Sequence, residues 1–136
     1  VLPGGVDAHC HIEQLSGGGL MNADTFETAT RSAAFGGTTS VISFAAQHRG
    51  KSLAKTVSDY AALAKKGAII DYAFHLMVAN PDEQTVATDL PALISTGHRS
   101  VKVFMTYDAV QVDDQQLLEV MMAARSAGAL VNGASG

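Results

Sequence analysis

The chain has 136 residues, 47% of them hydrophobic and 16% charged, with a net charge of -4; that balance fits one soluble globular domain, or part of a larger one, and excludes a disordered tail or linker. Its Lys and Arg are scattered and aromatics make up only 6%, so there is no basic stripe to follow a phosphate backbone, few rings to stack on bases, and no expectation of a nucleic-acid partner. No apolar run reaches the roughly 18 residues that cross a membrane, and the single cysteine rules out an internal disulfide framework and suits a reducing cytoplasm.

The first strand-like segment starts at Val1, without an initiator Met or a leader pattern, and ends near His11; this beginning reads as a chain cut from something longer. A Gly-rich loop, Ser16 to Gly19, leads to a helix with Asp24 as cap and Glu27 completing a capping box, stopped by Gly36 and Gly37. Thr38 to Ala46 reads as the second strand. The next helix runs from the cap Ser52 to Gly67, with Val57, Tyr60, Ala61 and Ala64 on one side. Ala68 to Val78 is the third strand, Asn80-Pro81 opens a third helix closed by Gly97, and Pro91 is expected to kink or divide it. Ser100 to Thr106 forms the fourth strand. Asp113 and Gln116 cap a fourth helix bearing Leu117, Leu118, Met121 and Met122, and Gly128 ends it before a fifth strand begins at Ala129 to Val131.

Strands alternating with helices at this spacing predict an α/β fold of parallel βα units. Four units and the start of a fifth amount to about half of a TIM-type (β/α)8 barrel, which needs about 250 residues. A doubly wound open sheet is the alternative; no G-x-G-x-x-G or phosphate-binding loop follows any strand, which disfavours its nucleotide-binding form.

Parallel barrels carry their chemistry at the C-terminal ends of the strands, where the first strand brings His9 and His11. Residues i and i+2 of a strand share a face, so the pair suits one metal ion, whereas Cys10 between them points away. Backbone hydrogen bonding is the other role open to these histidines. In "SVKVFMTY" Lys102 shares a face with Phe104, opposite Val101 and Val103. A lysine in a covered strand keeps its amine at the open end or loses its charge. Uncharged, it can form a Schiff base or take up carbon dioxide as a carbamate able to bridge two metals. His75 fits a hydrogen-bonded core position, while His48 and His98 read as loop residues.

The segments "PGGVDAHCHIE", "AAFGGTTSVISF", "DYAFHL" and "SVKVFMTY", with "DDQQLLEVMMAARSAGALV" after them, resemble the N-terminal half of the catalytic barrel in the hydantoinase and dihydropyrimidinase group of cyclic amidohydrolases. The resemblance implies hydrolysis of ring amides of hydantoins or dihydropyrimidines to N-carbamoyl amino acids by a metal-bridged hydroxide. It implies two divalent ions, Zn foremost, with Mn, Co, Ni or Fe as alternatives. His9 and His11 would ligate the more buried ion, Lys102, carbamylated by CO2, would bridge the two, and Tyr107 would bind the substrate's carbonyl oxygen. Asp7 would support this shell from behind. The implied partners are a small cyclic amide or ureide and, through the exposed strand edges, another copy or the missing half barrel.

By the same comparison residues 1–131 form the partial barrel, and residues 132–136 are expected to be a non-family tail or truncation scar. The family's remaining metal ligands and general base lie beyond them, so the chain alone is expected to be inactive. Polar Gln14 keeps an allantoinase or dihydroorotase reading open, and the abrupt tail a non-catalytic assembly fragment.

Overall fold

The computed structural model describes residues 1–16 and 18–134. β1 (Gly5–Asp7), β2 (Thr38–Ala46), β3 (Asp71–Met77), β4 (Ser100–Phe104) and β5 (Leu130–Ala134) lie side by side in chain order, every neighbouring pair parallel. The connections carry α1 (Phe26–Phe35), α2 (Leu53–Gly67), α3 (Leu90–Ser95) and α4 (Asp114–Ala127). A doubly wound sheet reverses its strand order, and this one does not. The result is a curled α/β half-barrel with the helices on its convex side.

Strand alternation divides the residues between two environments. Val41 and Ala45, Phe74 and Leu76, and Val101 and Val103 are buried with Phe26 of α1, Leu53 and Val57 of α2, Leu90 and Ile94 of α3, and Val120 and Ala124 of α4. Fully burying each such Val, Leu, Ile or Phe contributes about 1.5–3 kcal/mol. The opposite parity lines the concave side, where Phe44, His75, Lys102 and Asn132 border one cleft. Met121 and Met122 are exposed, at 47% and 62%, and form with Leu118 an apolar strip along the β5 edge rather than part of the core.

Two helices begin where the sequence places them: Ser52 caps α2, and Asp113 forms a reciprocal capping box with Gln116 on α4. α1 differs. Its cap is Thr25, whose extended backbone lets its hydroxyl accept from Thr28 N, while Asp24 accepts from the Thr28 hydroxyl and Glu27 pairs with Arg31. The third helix does not open at Asn80-Pro81. Asp82 accepts from Thr85 N at 2.8 Å, and a π turn, Thr85–Asp89, precedes α3. Pro91 stands in the first turn of α3, where its missing N–H costs little, and the wide turn before it replaces the expected kink.

The strand ends also shift. β1 stops at Asp7, so His9 and His11 sit in the segment beyond it, and β4 stops at Phe104. β5 continues three residues past Val131, with Asn132, Gly133 and Ala134 paired to Lys102, Val103 and Phe104. Residues 135 and 136 of the expected tail, and Gly17 of the Gly-rich loop, lie outside the described residues.

Candidate functional site

Phe44 is the centre around which the candidate residues gather. Its side chain is 2% exposed, and its inward position in β2 is fixed by the buried parity of Val41, Ser43 and Ala45. The His11 ring stacks on it at 4.6 Å and 14°, the His9 ring lies at 4.8 Å, and the His75 ring at 4.8 Å. Lys102 Nζ stands 5.5 Å from the same ring centre and 5.2 Å from that of Phe104. The two predicted imidazoles are 5.5 Å apart, centre to centre. The structure thus brings His9, His11 and Lys102 to one aromatic platform at the C-terminal end of the sheet.

Hydrogen bonds to Asp7 and to β2 hold the segment that carries the histidines. Asp7 Oδ1 accepts from His9 N at 3.0 Å, a local turn contact made to the backbone and not to the imidazole. Cys10 N donates to Ile42 O and Ile12 N to Ser43 Oγ. Cys10 turns away from its neighbours, its sulfur against Ile42 O at 3.5 Å, and burial pushes its thiol up to about 11. A protonated thiol at that position is a poor ligand.

Gln14 Oε1 accepts from His11 Nδ1 at 2.8 Å, which orients the ring and leaves Nε2 outside this contact. Desolvation lowers the pKa of His9 below its ordinary 6.5, helped by the charges of Lys102, His11 and His75 and opposed by Asp7. Neutral imidazole is the form that binds a divalent ion, so these residues fit one wall of a metal site. They do not complete one: among the described residues no group of three or more His, Cys, Asp or Glu stands together to hold a metal. No carboxylate pairs with Lys102 among the described residues either; its amine rests on the Phe44 and Phe104 rings.

Tyr107 shares a cleft with His11 but lies outside the one that His9 and Lys102 line. It lies on the loop after β4 with φ +71°, a conformation rare for a non-glycine residue, and is 60% exposed. Its ring meets Phe104 edge-on at 5.8 Å, and it lines a cleft of about 390 Å³ with His11, Gln14 and Met77. His9 and Lys102 line the adjoining cleft, of about 320 Å³, with Ala8, His75 and Asn132. Arg49, from the loop after β2, ties the Tyr107 loop down by donating to the carbonyls of Asp108, Ala109 and Gln111.

Three contributors escaped the motif reading. Phe44 looks like any apolar strand residue, and Asn132 falls in the stretch read as a tail although it pairs with Lys102. Gln14 bears in the sequence only on substrate choice, whereas in the structure it accepts from His11 Nδ1. Counting parity inward from Lys102 through the parallel register finds Asn132 directly, and His75 and Phe44 by their mutual pairing.

No family model matches the chain. D-hydantoinase of Streptomyces coelicolor is 42% identical over 132 residues, 96% of this chain and 28% of that protein. Dihydropyrimidinase of Dictyostelium discoideum is 33% identical over 132 residues, again 96% of this chain and 26% of its own length. The crystal structure of dihydropyrimidinase from Brevibacillus agri superposes with a TM-score of 0.88 at 38% identity, covering 97% of this chain and 29% of that one. The resemblance read from the motifs therefore extends over nearly the whole chain in both sequence and backbone. The chain spans little more than a quarter of the length of the relatives it matches.

Proposed function

We propose, from its likeness to the hydantoinases and dihydropyrimidinases over 96% of its length, that this chain supplies part of the active face of a metal-dependent hydrolase of cyclic amides. The observation that carries the reading is the convergence of His9, His11 and Lys102 on the Phe44 ring at the C-terminal end of the strands. Barrels of this topology place their chemistry at that end.

In this reading His9 and His11 would hold a divalent ion, Zn foremost, and Lys102, if carbamylated by CO2, would add carboxylate-like oxygens for a second one. When bound, such a pair supplies a hydroxide nucleophile at neutral pH and polarises a carbonyl. The chain's own residues do the rest. Gln14 keeps the His11 proton on Nδ1, and Phe44 excludes water from one side of both imidazoles. Asp7 fixes the His9 backbone from behind. The Tyr107 hydroxyl, on a loop clamped by Arg49, donates to the substrate's carbonyl oxygen as negative charge builds there. A hydantoin or dihydropyrimidine would thereby open to an N-carbamoyl amino acid.

Two imidazoles and one carbamate cannot close a binuclear site, so residues 1–131 alone bind metal weakly and do not turn over substrate. Residues 132–136 include Asn132, which joins the cleft wall in this reading instead of being a mere tail. The free edges of β1 and β5 and the exposed Leu118, Met121, Met122 and Leu130 favour pairing with another copy or with the rest of a barrel. A cytoplasmic setting fits the single, unreactive cysteine. The test is ring opening of hydantoin and dihydrouracil by the intact protein carrying this segment, with and without chelator. Loss of turnover on chelation and in Lys102→Ala supports the reading, and undiminished turnover in either case refutes it.

A further inference from the structure

His75 shares the cleft with His9 and Lys102, yet both of its ring nitrogens are already engaged. Nε2 lies 2.8 Å from Ala8 O, and a carbonyl only accepts, so Nε2 carries the proton. With the proton on Nε2, Nδ1 accepts from the Ser100 hydroxyl at 2.7 Å, and Ser100 Oγ accepts from Asn132 Nδ2 at 3.2 Å. The donors run one way, from β5 through β4 and β3 to the end of β1, and such chains strengthen link by link.

The end point of that chain is the residue before His9. β1 has only three residues and stops at Asp7, so residues 8 onward lie outside the strand's own pairing. The other ties on residues 8–12 come from within the segment or from neighbouring β2. Among the described residues, His75 alone reaches it from β3, 67 residues away in sequence. Ala8 O belongs to the peptide unit that leads into His9, so fixing this carbonyl fixes where the His9 backbone starts.

Resting on the proposed metal role of His9, we infer that His75 is a positioning residue for that ligand: by donating from Nε2 to the Ala8 carbonyl it sets the His9 imidazole where a divalent ion can use it. It acts through His9 and leaves no lone pair of its own for the ion.

The test is a Co2+ titration of the intact protein, read by competition with a chelating dye and by the visible absorption of bound cobalt, with His75→Phe, His75→Gln and Ser100→Ala as variants. His75→Phe keeps the ring on Phe44 and removes the donor; its Co2+ affinity falls by about tenfold or more and the cobalt band changes shape. His75→Gln restores an N–H donor and recovers affinity to within about threefold of the parent, on the same outer-shell scale. Ser100→Ala frees Nδ1, lets the tautomer change, and weakens binding even if His75→Phe does not fold. Parent-like affinity in His75→Phe or in Ser100→Ala, or equal losses in His75→Phe and His75→Gln, overturns the inference while leaving the proposed function standing. Binding in the parent that His9→Ala does not alter overturns the proposed function and the inference with it.

Discussion

Replacing Phe44 with leucine removes the platform while keeping a buried apolar side chain. The ring makes close contacts with His9, His11 and His75; aromatic pairs contribute about 0.5–1.5 kcal/mol each, and partly exposed imidazoles belong at the lower end, giving roughly 1.5 kcal/mol in all. The Lys102 amine, 5.5 Å from the ring centre, adds about 0.5 kcal/mol. Phe44→Leu should therefore lose about 2 kcal/mol of stability, on that scale. With a urea slope in the usual range of about 1–3 kcal/mol per molar, the unfolding midpoint followed by circular dichroism falls by roughly 1 M. A loss below about 0.5 kcal/mol at unchanged slope, which is what an ordinary surface substitution gives, would refute the claim that this ring organises the site.

The remaining expectations concern single positions. Cys10 should react with iodoacetamide at pH 8 far more slowly in the folded chain than in urea, because burial holds its thiol at about 11; equal rates would contradict the buried geometry. Gly128 closes α4 with φ +85°, a left-handed conformation, so Gly128→Ala should cost about 1 kcal/mol even though a Cβ there meets only Arg99, at 3.7 Å. His9 titrates below 6.5 in the folded chain, so the unfolded chain binds more protons in the window just under that value. The His9 contribution to stability is then complete above 6.5 and declines as pH falls toward its folded pKa. A histidine NMR titration with a His9 midpoint at or above 6.5 would reverse this sign.

What the sequence made legible was whatever a local signal carries. β2 and α2 fall within a residue of the expected bounds because a glycine pair, a serine cap and clean apolar periodicity mark them. α4 follows its Asp113 and Gln116 box. The start of α1 lies one residue later than the sequence suggests because Asp24 and Thr25 are both good caps, and only the backbone angles of Thr25 decide between them. Pro91 marks an irregularity in the third helix, but not its form: a π turn that buries Thr85 and Asp89 depends on tertiary packing. The histidine pair was expected on a strand. It lies past the strand's end and converges through the Phe44 stack, a tertiary contact that spacing does not encode. Asn132 was hidden for a related reason: a polar residue facing a barrel interior has the composition of a loop.

His9, His11 and Lys102 meet at the Phe44 ring, and the proposal is that they share one cation there. Anomalous diffraction at the zinc edge from crystals of the intact protein grown with zinc and bicarbonate tests this most directly. The predicted result is a zinc ion about 2.0–2.1 Å from one nitrogen each of His9 and His11, with density for a carbamate on Lys102 reaching the same ion. A zinc ion bound elsewhere, or an unmodified Lys102 amine pointing away from the histidines, would contradict it.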